Sequence, residues 1–311
     1  MTINPISPVV PTGTQNTGNS KLGMIYMFAG MSLFAATDAI AKLLTETLAP
    51  IQIVWSRQCG LLVGILVIIA IRGIKVLNTS QPKLQIGRGV LAATSATLFI
   101  IGVSYVPLAD AVAITFVAPF MVTVMGAVIL KEPVGIRRWT AVTIGFIGML
   151  IVIRPGLGVL HPAAFLLLIA AAVFACRQIL SRVLAAGDKT STTVAYTAIV
   201  SWSLLSIPLP FFWQTPVTGL EIILLVTMAV LAAFAETLVI MALDAAQAVV
   251  VAPVQYVLLI WGTMYGFLIF DQLPDFWTLV GALIIVATGL YTLNRERLVS
   301  HKIQGSDPRA R

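Results

Sequence analysis

Charged residues and residues that bind metals or act as nucleophiles are scarce in this sequence. Asp, Glu, Lys and Arg make up 10% of the 311 residues, whereas a soluble domain usually carries about 25%. The two histidines, His161 and His301, lie in a loop and in the C-terminal tail, and Cys59 and Cys176 lie in apolar runs without a Cys-x-x-Cys pair. HExxH, G-x-S-x-G and phosphate-loop motifs are also missing. We therefore predict no catalytic site, metal site or bound cofactor, and an enzyme is disfavoured.

Apolar residues, in contrast, are abundant. They make up 59% of the chain, and the mean hydropathy is +1.00. Short polar breaks divide them into runs near the roughly 20 residues that cross a bilayer as a helix. The pattern predicts an all-α integral membrane protein with ten transmembrane helices and no folded soluble domain. The predicted spans are 22–43, 51–71, 88–106, 109–130, 138–154, 162–184, 191–212, 220–242, 247–270 and 276–294.

The basic residues lie mostly between these runs and predict the topology. Of the 19 Lys and Arg residues, 15 fall on the side that holds both termini, whereas Lys42 and Arg154 fall on the opposite side. By the positive-inside rule, both termini are cytoplasmic. The basic residues that give the net charge of +7 are thus explained by membrane topology. No nucleic-acid partner is implied. Residues 1–20 lack the features of a signal peptide and are predicted to form a disordered cytoplasmic tail, and 295–311 a polar one.

Self-comparison indicates an internal repeat. The segment "FAATDAIAKLL" at 34–44 aligns with "FACRQILSRVL" at 174–184, a shift of 140. "FVAPF" aligns with "VVAPV" at a shift of 134, and "GMLIVIRPG" with "GLYTLNRER" at a shift of 141. Repeats with an odd number of spans have opposite orientations in the membrane, which is the arrangement of alternating-access carriers. We predict two inverted five-helix repeats; chance similarity between Ala- and Gly-rich helices is the alternative.

Several segments resemble a known family. They are "ATDAIAKLL", "WSRQCG", "LADAVAITFVAPF", "LKEPVGIRRWTAVTIGFIGMLIVIRPG", "ALDAAQAVVVAPVQY" and "DQLPDFWTLVGALIIVATGLYTLNRE". Over about residues 22–297 the chain resembles the EamA-type ten-helix members of the drug/metabolite transporter superfamily. The resemblance implies a carrier of the cell inner membrane whose substrate cavity lies between two EamA-like repeats, 21–156 and 157–294. The first span is most similar to the riboflavin-uptake and S-adenosylmethionine-uptake branch.

Charged side chains inside the predicted spans need an explanation, because each costs about 2.5–3.5 kcal/mol at membrane depth. Asp38 and Lys42 are four residues apart, so they either neutralise each other on one helical face or Asp38 faces the cavity and Lys42 extends to the interface. Arg57 either pairs with Asp38 or binds an anionic substrate group. Arg177 is expected to extend to the interface, and Glu236 to face the cavity with Arg177 or Arg57 as partner.

Prolines at matching repeat positions predict interrupted helices. Pro119 and Pro253 both follow alanine within a span, and interrupted helices in corresponding positions are typical of carrier binding sites. Aromatic residues and an amide follow or flank these prolines, which suits a flat heteroaromatic ligand or lipid-facing packing equally. Asp110 and Asp244, at hairpin turns, are predicted helix N-caps, with gating as the alternative. The predicted substrate-binding residues are Asp38, Arg57, Phe116, Pro119, Phe120, Glu236, Pro253, Gln255 and Tyr256.

These features favour a secondary transporter that moves a small organic metabolite by alternating access. Riboflavin uptake is the first hypothesis for the substrate. Uptake of S-adenosylmethionine and export of amino acids or other metabolites are the alternatives, and a channel or membrane scaffold is the alternative outside carriers. The expected partners are the lipid bilayer and a small-molecule substrate; proton or ion coupling and a homodimer are left open.

Overall fold

The computed structural model describes residues 20–305 apart from 132–133, 155–160, 186 and 247. The N-terminal tail predicted at 1–20 therefore lies outside the described residues except for its last position. All regular structure in the described residues is helical. The helices are α1 Ser20–Leu44, α2 Pro50–Arg72, α3 Pro82–Tyr105, α4 Leu108–Thr115, α5 Ala118–Ile129, α6 Ile136–Ile153, α7 Ala164–Leu184, α8 Thr190–Ser206, α9 Leu209–Phe212, α10 Gly219–Ala245, α11 Ala248–Val251, α12 Val257–Phe270 and α13 Phe276–Gly305.

The chain is a multi-pass membrane protein. Among the described residues, eight helical segments are long and apolar enough to cross a membrane: Lys21–Leu44, Pro50–Ile71, Pro82–Tyr105, Leu108–Ile129, Ile136–Ile153, Ala164–Leu184, Gly219–Leu243 and Ala252–Phe270. Each coincides with a predicted span, so eight of the ten predictions are confirmed. The other two predicted spans also fall on helices, but α8 has only 17 residues and Phe276–Thr292 is a shorter apolar stretch.

Two helices extend well beyond their predicted spans. α3 begins at Pro82, six residues before the predicted start. Proline is well suited to the first helical turn, because N–H groups there have no acceptor within the helix. At the other end of the chain, α13 continues to Gly305, beyond the predicted end at 294. Polar residues extend both helices past the limits of the apolar runs.

Small residues bring the helices close together. A Cβ added to Gly60 in α2 would overlap the backbone carbonyl of Ala229 in α10, and one added to Gly281 in α13 would lie 2.5 Å from the carbonyl oxygen of Gly148 in α6. Lipid tails are as apolar as side chains, so helices in a membrane associate largely through such close packing. These glycines therefore hold pairs of helices from the two halves of the chain against each other.

The helix contacts follow a regular pattern. α1 packs against α10, and α7 packs against α3; α2 also packs against α10, and α8 against α3. α1 further contacts α12, and α7 contacts both α4 and α5. The pairs α2–α8, α4–α12 and α6–α13 each join one helix from either half of the chain. Most of the larger helix interfaces thus lie between the halves.

Candidate functional site

Asp38 and Arg57 form an ion pair between α1 and α2. An Arg57 terminal nitrogen donates to Asp38 Oδ1 over 3.0 Å, and the side chains are 19% and 16% exposed for Arg57 and Asp38 respectively. The Arg57 guanidinium also lies 5.3 Å from the centre of the Phe34 ring. Of its two predicted partners, Lys42 and Arg57, Asp38 is thus paired with Arg57. The prediction of a pair with Lys42 is wrong, because α1 directs the two side chains to different neighbours.

Lys42 instead stabilises the end of α3. Its Nζ donates to the carbonyl oxygens of Val103 at 3.0 Å and Val106 at 2.5 Å. The last carbonyls of a helix have no partner within the helix, and a cation there also interacts favourably with the helix dipole. Lys42 is only 8% exposed and lies 5.3 Å from the centre of the Phe270 ring. The expectation that it extends to the interface is therefore wrong, and its role is structural.

A second group of charged residues lies on α3, α7 and α10, and its hydrogen bonds join α3 to α7 and α8. Arg88 Nε donates to Ser181 Oγ over 2.7 Å, and the same guanidinium donates to the Thr197 hydroxyl and the Thr193 carbonyl. Glu236 is close enough to interact electrostatically with both Arg88 and Arg177. An ion pair of Glu236 with Arg177 or Arg57 stays a prediction.

Arg177 has few contacts of its own. Its guanidinium lies 4.4 Å from the centre of the Phe174 ring. Its Nε is buried without a hydrogen-bond partner among the described residues, a situation that costs about 1–3 kcal/mol for a neutral donor and more for a charged one. Arg57 and Arg88 are close enough to repel it. The expectation that Arg177 extends to the interface is wrong, since its side chain stays inside the bundle.

Five charged residues inside the bundle, Asp38, Arg57, Arg88, Arg177 and Glu236, are together called the charged column. Asp38 lies six residues before the end of α1, and Arg57 seven residues after the start of α2. Arg88 lies six residues after the start of α3, and Arg177 seven residues before the end of α7. At 1.5 Å per residue, each group is about 10 Å inside its end of the bundle. With Glu236, the column contains three arginines and two carboxylates from five helices.

Two helices are interrupted, as the prolines predicted. α4 ends at Thr115, and α5 begins at Ala118 with Pro119 in its first turn. A 3-10 segment, Ala252–Tyr256, contains Pro253 and separates α11 from α12. The ring of Phe116, at the first interruption, stacks on that of Tyr256 with centroids 4.9 Å apart and planes 23° from parallel. The two interruptions are therefore in direct contact.

The charged column and the second interruption share an apolar cluster. Phe34, whose ring lies against Arg57, packs against the same buried residues as Val254 and Val257. Val254 lies in the 3-10 segment, and Val257 begins α12. Phe34 therefore connects Arg57 to the residues around the second interruption.

The other predicted site residues have separate surroundings. Phe120 is buried with its ring against Gly145 of α6, and Tyr256 packs its hydroxyl end against Gly289 of α13. Pro119 and Gln255 are exposed. A groove of about 440 Å³ is lined by Pro253, Ala287, Leu290, Tyr291 and Asn294. Substrate contact by the nine predicted substrate-binding residues stays a prediction. Among the described residues, no group of His, Cys, Asp or Glu could hold a metal ion.

Arg88 is the site residue that sequence reasoning missed. Arg88 is the first residue of the predicted span 88–106 and is one of the 15 basic residues counted on the side of the termini, so no site role is predicted for it. Pro82, a favoured first helical residue, was the signal that α3 starts earlier and carries Arg88 into the bundle.

Asp110 corrects another prediction. α4 begins at Leu108, so Asp110 is in its first turn rather than at the N-cap. Its side chain is buried, and Oδ1 has no hydrogen-bond partner among the described residues. The side chain of Asp244 lies outside the described residues, so its N-cap prediction stays a prediction.

Polar contacts between the two halves occur at both ends of the bundle. At the end that holds the α1–α2 turn, called the first end, Gln52 exchanges two hydrogen bonds of 2.9 Å with the backbone of Gln214. At the same end, Arg154 forms an ion pair with Asp275. Desolvation alone would raise the pKa of Asp275. Hydrogen bonds from the Thr278 N–H and from Arg154 outweigh this effect, so the pKa lies below its ordinary value. These contacts join the two halves at the first end.

The opposite end, called the second end, is joined through Asp188 in the α7–α8 turn. Asp188 Oδ2 accepts hydrogen bonds from the Thr79 hydroxyl at 2.5 Å and from Gln85 Nε2 at 2.7 Å. Gln85 Nε2 also donates to Thr193 Oγ1 over 3.1 Å. The hydrogen bond from Thr79, assisted by Gln85 and the Ser80 backbone, lowers the pKa of the Asp188 carboxyl. The second end is therefore also tied across the halves.

Comparison with known proteins gives one family match and several relatives. Residues 21–154 match the EamA-like transporter family. The S-adenosylmethionine uptake transporter of Rickettsia prowazekii is 25% identical over 88% of this chain and 93% of its own length. The riboflavin transporter of Vibrio cholerae is 29% identical over 68% of this chain and 71% of its own length. The pseudopaline exporter CntI of Pseudomonas aeruginosa is 25% identical over 86% of this chain and 94% of its own length.

One solved crystal structure is similar across nearly the whole chain. It covers 89% of this chain and 98% of its own, with a TM-score of 0.62 and 17% sequence identity. At this identity the similarity shows a shared fold and nothing about the substrate.

Proposed function

We propose that this chain, whose residues 21–154 are an EamA-like transporter domain, is a secondary transporter that takes up S-adenosylmethionine. The resemblance to EamA-type carriers is confirmed over these residues. The observation that carries the proposal is the column of three arginines and two carboxylates. Ionisable side chains inside a membrane bundle typically mark the path of a substrate or ion.

Alternating access between two inverted five-helix repeats, 21–156 and 157–294, is supported by the helix contacts. If α7 is the counterpart of α1 and α10 that of α3, the α1–α10 and α3–α7 interfaces are equivalent. The interrupted helices, α4–α5 and α11–α12, are also counterparts in this scheme. Polar contacts between the halves at both ends supply the two closures that such a mechanism must open in turn.

The charged column favours S-adenosylmethionine over a neutral substrate. This metabolite carries a sulfonium cation, an ammonium group, a carboxylate and an adenine ring, so it can pair with both the arginines and the carboxylates. The ring system and hydroxyl groups of riboflavin need no buried charge. Two Rickettsia relatives named for S-adenosylmethionine uptake match 88% and 91% of this chain, whereas two riboflavin transporters match 72% and 68%.

Riboflavin is the second candidate, because the stacked Phe116 and Tyr256 rings suit a flat heteroaromatic ring. Export is the alternative direction, as in the relative named for pseudopaline export. With both termini cytoplasmic, as predicted for an inner-membrane protein, the first end faces the outside. An inside-negative potential then favours the entry of a cation by about 2.3 kcal/mol per charge at 100 mV. Proton or ion coupling and a homodimer stay predictions.

Purified protein in liposomes tests the proposal. Uptake of labelled S-adenosylmethionine should be saturable, absent from empty liposomes and resistant to excess riboflavin. Glu236→Gln should reduce it at least tenfold, whereas Glu46→Gln, at an exposed position of the first end, is the matched control. Linear uptake that never saturates would indicate a channel. Riboflavin uptake without S-adenosylmethionine uptake would establish the second candidate, and release only from preloaded liposomes would establish export.

A further inference from the structure

We infer that Arg177 binds the carboxylate of the transported substrate, while Arg57 and Arg88 serve mainly to join helices. The inference rests on the proposed function and deepens it, because it makes a carboxylate part of what the carrier recognises. It begins from the different surroundings of the three arginines in the charged column.

Arg57 and Arg88 each donate hydrogen bonds to neighbouring helices. Arg57 is paired with Asp38 at 3.0 Å and lies against Phe34. Arg88 donates to Ser181 in α7 and to Thr197 in α8, so it joins three helices. Replacing these contacts with contacts to a substrate would require the helices to separate.

Arg177 differs from both. Its guanidinium lies 4.4 Å from the centre of the Phe174 ring, and its Nε is buried without a hydrogen-bond partner among the described residues. A guanidinium presents its N–H groups as a planar fork that matches the two oxygens of a carboxylate. Arg177 therefore has an aromatic contact and a buried Nε–H that could donate to an acceptor supplied by a ligand.

The surrounding charges favour an anion at this edge. Arg57 and Arg88 both repel Arg177, and Glu236 is shared between Arg88 and Arg177. The column contains three cations and two anions, so the charges next to Arg177 favour the carboxylate group of a ligand there. Glu236 would in turn attract the ammonium group that neighbours the carboxylate in an amino acid. Arg177 and Glu236 together therefore match the zwitterionic end of S-adenosylmethionine.

Competition between two ligands tests this assignment. Inhibition of labelled S-adenosylmethionine uptake is measured with unlabelled S-adenosylmethionine and with its decarboxylated form, which differs only in lacking the carboxylate. The wild-type carrier should prefer the carboxylate-bearing ligand at least tenfold. Arg177→Gln should bring the preference close to one, and Arg177→Lys should restore part of it. Arg182→Gln, at an exposed position of the same helix, should keep the wild-type preference.

The outcomes separate the two proposals. Uptake with no preference for the carboxylate in the wild type, or an unchanged preference in Arg177→Gln, would overturn the inference and leave the proposed function standing. If S-adenosylmethionine is not transported, the proposed function fails. Thermal stabilisation of the purified carrier by L-methionine, and not by its decarboxylated amine, then still tests the carboxylate site, and loss of that stabilisation in Arg177→Gln supports it. Equal effects of both compounds would refute it.

Discussion

Neutralising Asp38 should destabilise the protein by an amount that reveals whether its partner is Arg57. At 3.0 Å and an effective dielectric constant of about 20, two unit charges attract by about 5.5 kcal/mol. Removing one partner of a fully buried pair costs about 3–5 kcal/mol. Because both side chains are partly exposed and Asn can still accept a hydrogen bond, we expect Asp38→Asn to lower the free energy of unfolding by about 2–3 kcal/mol.

A double-mutant cycle separates a structural role from a functional one. Thermal unfolding of the detergent-purified protein and uptake in liposomes are measured for Asp38→Asn, Arg57→Gln and the combination. Both single variants should be less stable than the double variant, because each leaves an unpaired charge inside the bundle. If the pair is only structural, the double variant also regains transport. If either side chain contacts the substrate, stability recovers while transport remains low.

Glu46→Gln is the control, because it also neutralises a carboxylate at the first end of the bundle but at an exposed position. It should leave both stability and uptake unchanged. A double variant that is less stable than either single variant would refute the proposed pairing, because the two losses would then be independent. Equal stability of Asp38→Asn and the wild type would do so as well.

Three further predictions concern packing, helix ends and pH. Gly60→Ala should abolish folded expression, because its Cβ would overlap the Ala229 carbonyl, whereas Gly64→Ala, with its nearest neighbour 3.9 Å away, should fold normally on size-exclusion chromatography. Lys42→Met should lower the unfolding free energy by about 2 kcal/mol or more, because it leaves two buried carbonyls unpaired; an unchanged Tm would contradict this. Since hydrogen bonds hold the pKa of Asp188 below its ordinary value of 3.8, its stabilisation is present at neutral pH and is lost as the pH falls through its folded-state pKa. Asp188→Asn should therefore lose less Tm than the wild type on acidification from about pH 5 to pH 3, and an equal loss in both would show that Asp188 is not responsible.

Apolar runs predicted the positions of the helices well, because the length needed to cross a bilayer is a strong constraint. The same rule failed where polar residues extend a helix. α3 continues six residues before its apolar run, which places Arg88 inside the bundle, and α13 continues beyond residue 294. Hydropathy measures transfer into lipid, and it does not register a helical turn whose polar side chains face other helices.

The partners of charged residues were harder to predict than their depth. Helical spacing placed Asp38 near Lys42, and only the packing of α1 against its neighbours shows that one side chain meets Arg57 and the other meets the end of α3. Phe120 illustrates the same limit, because its contact is Gly145 on a different helix. Proline is the exception: its effect on the backbone is local, so both interruptions followed directly from Pro119 and Pro253.

The buried charges differ in how the protein itself compensates for them. The charge of Lys42 is satisfied by the carbonyls at the end of α3, and those of Asp38 and Arg57 by each other. Arg177 lies among like charges with a buried, unpaired Nε, so its burial is the least compensated of these. An uncompensated buried charge has a desolvation cost, and its replacement by an apolar side chain of similar size removes that cost. We therefore expect Arg177→Met to raise the Tm while abolishing the preference for a carboxylate-bearing ligand, and a fall in both stability and preference would instead mark Arg177 as part of the scaffold.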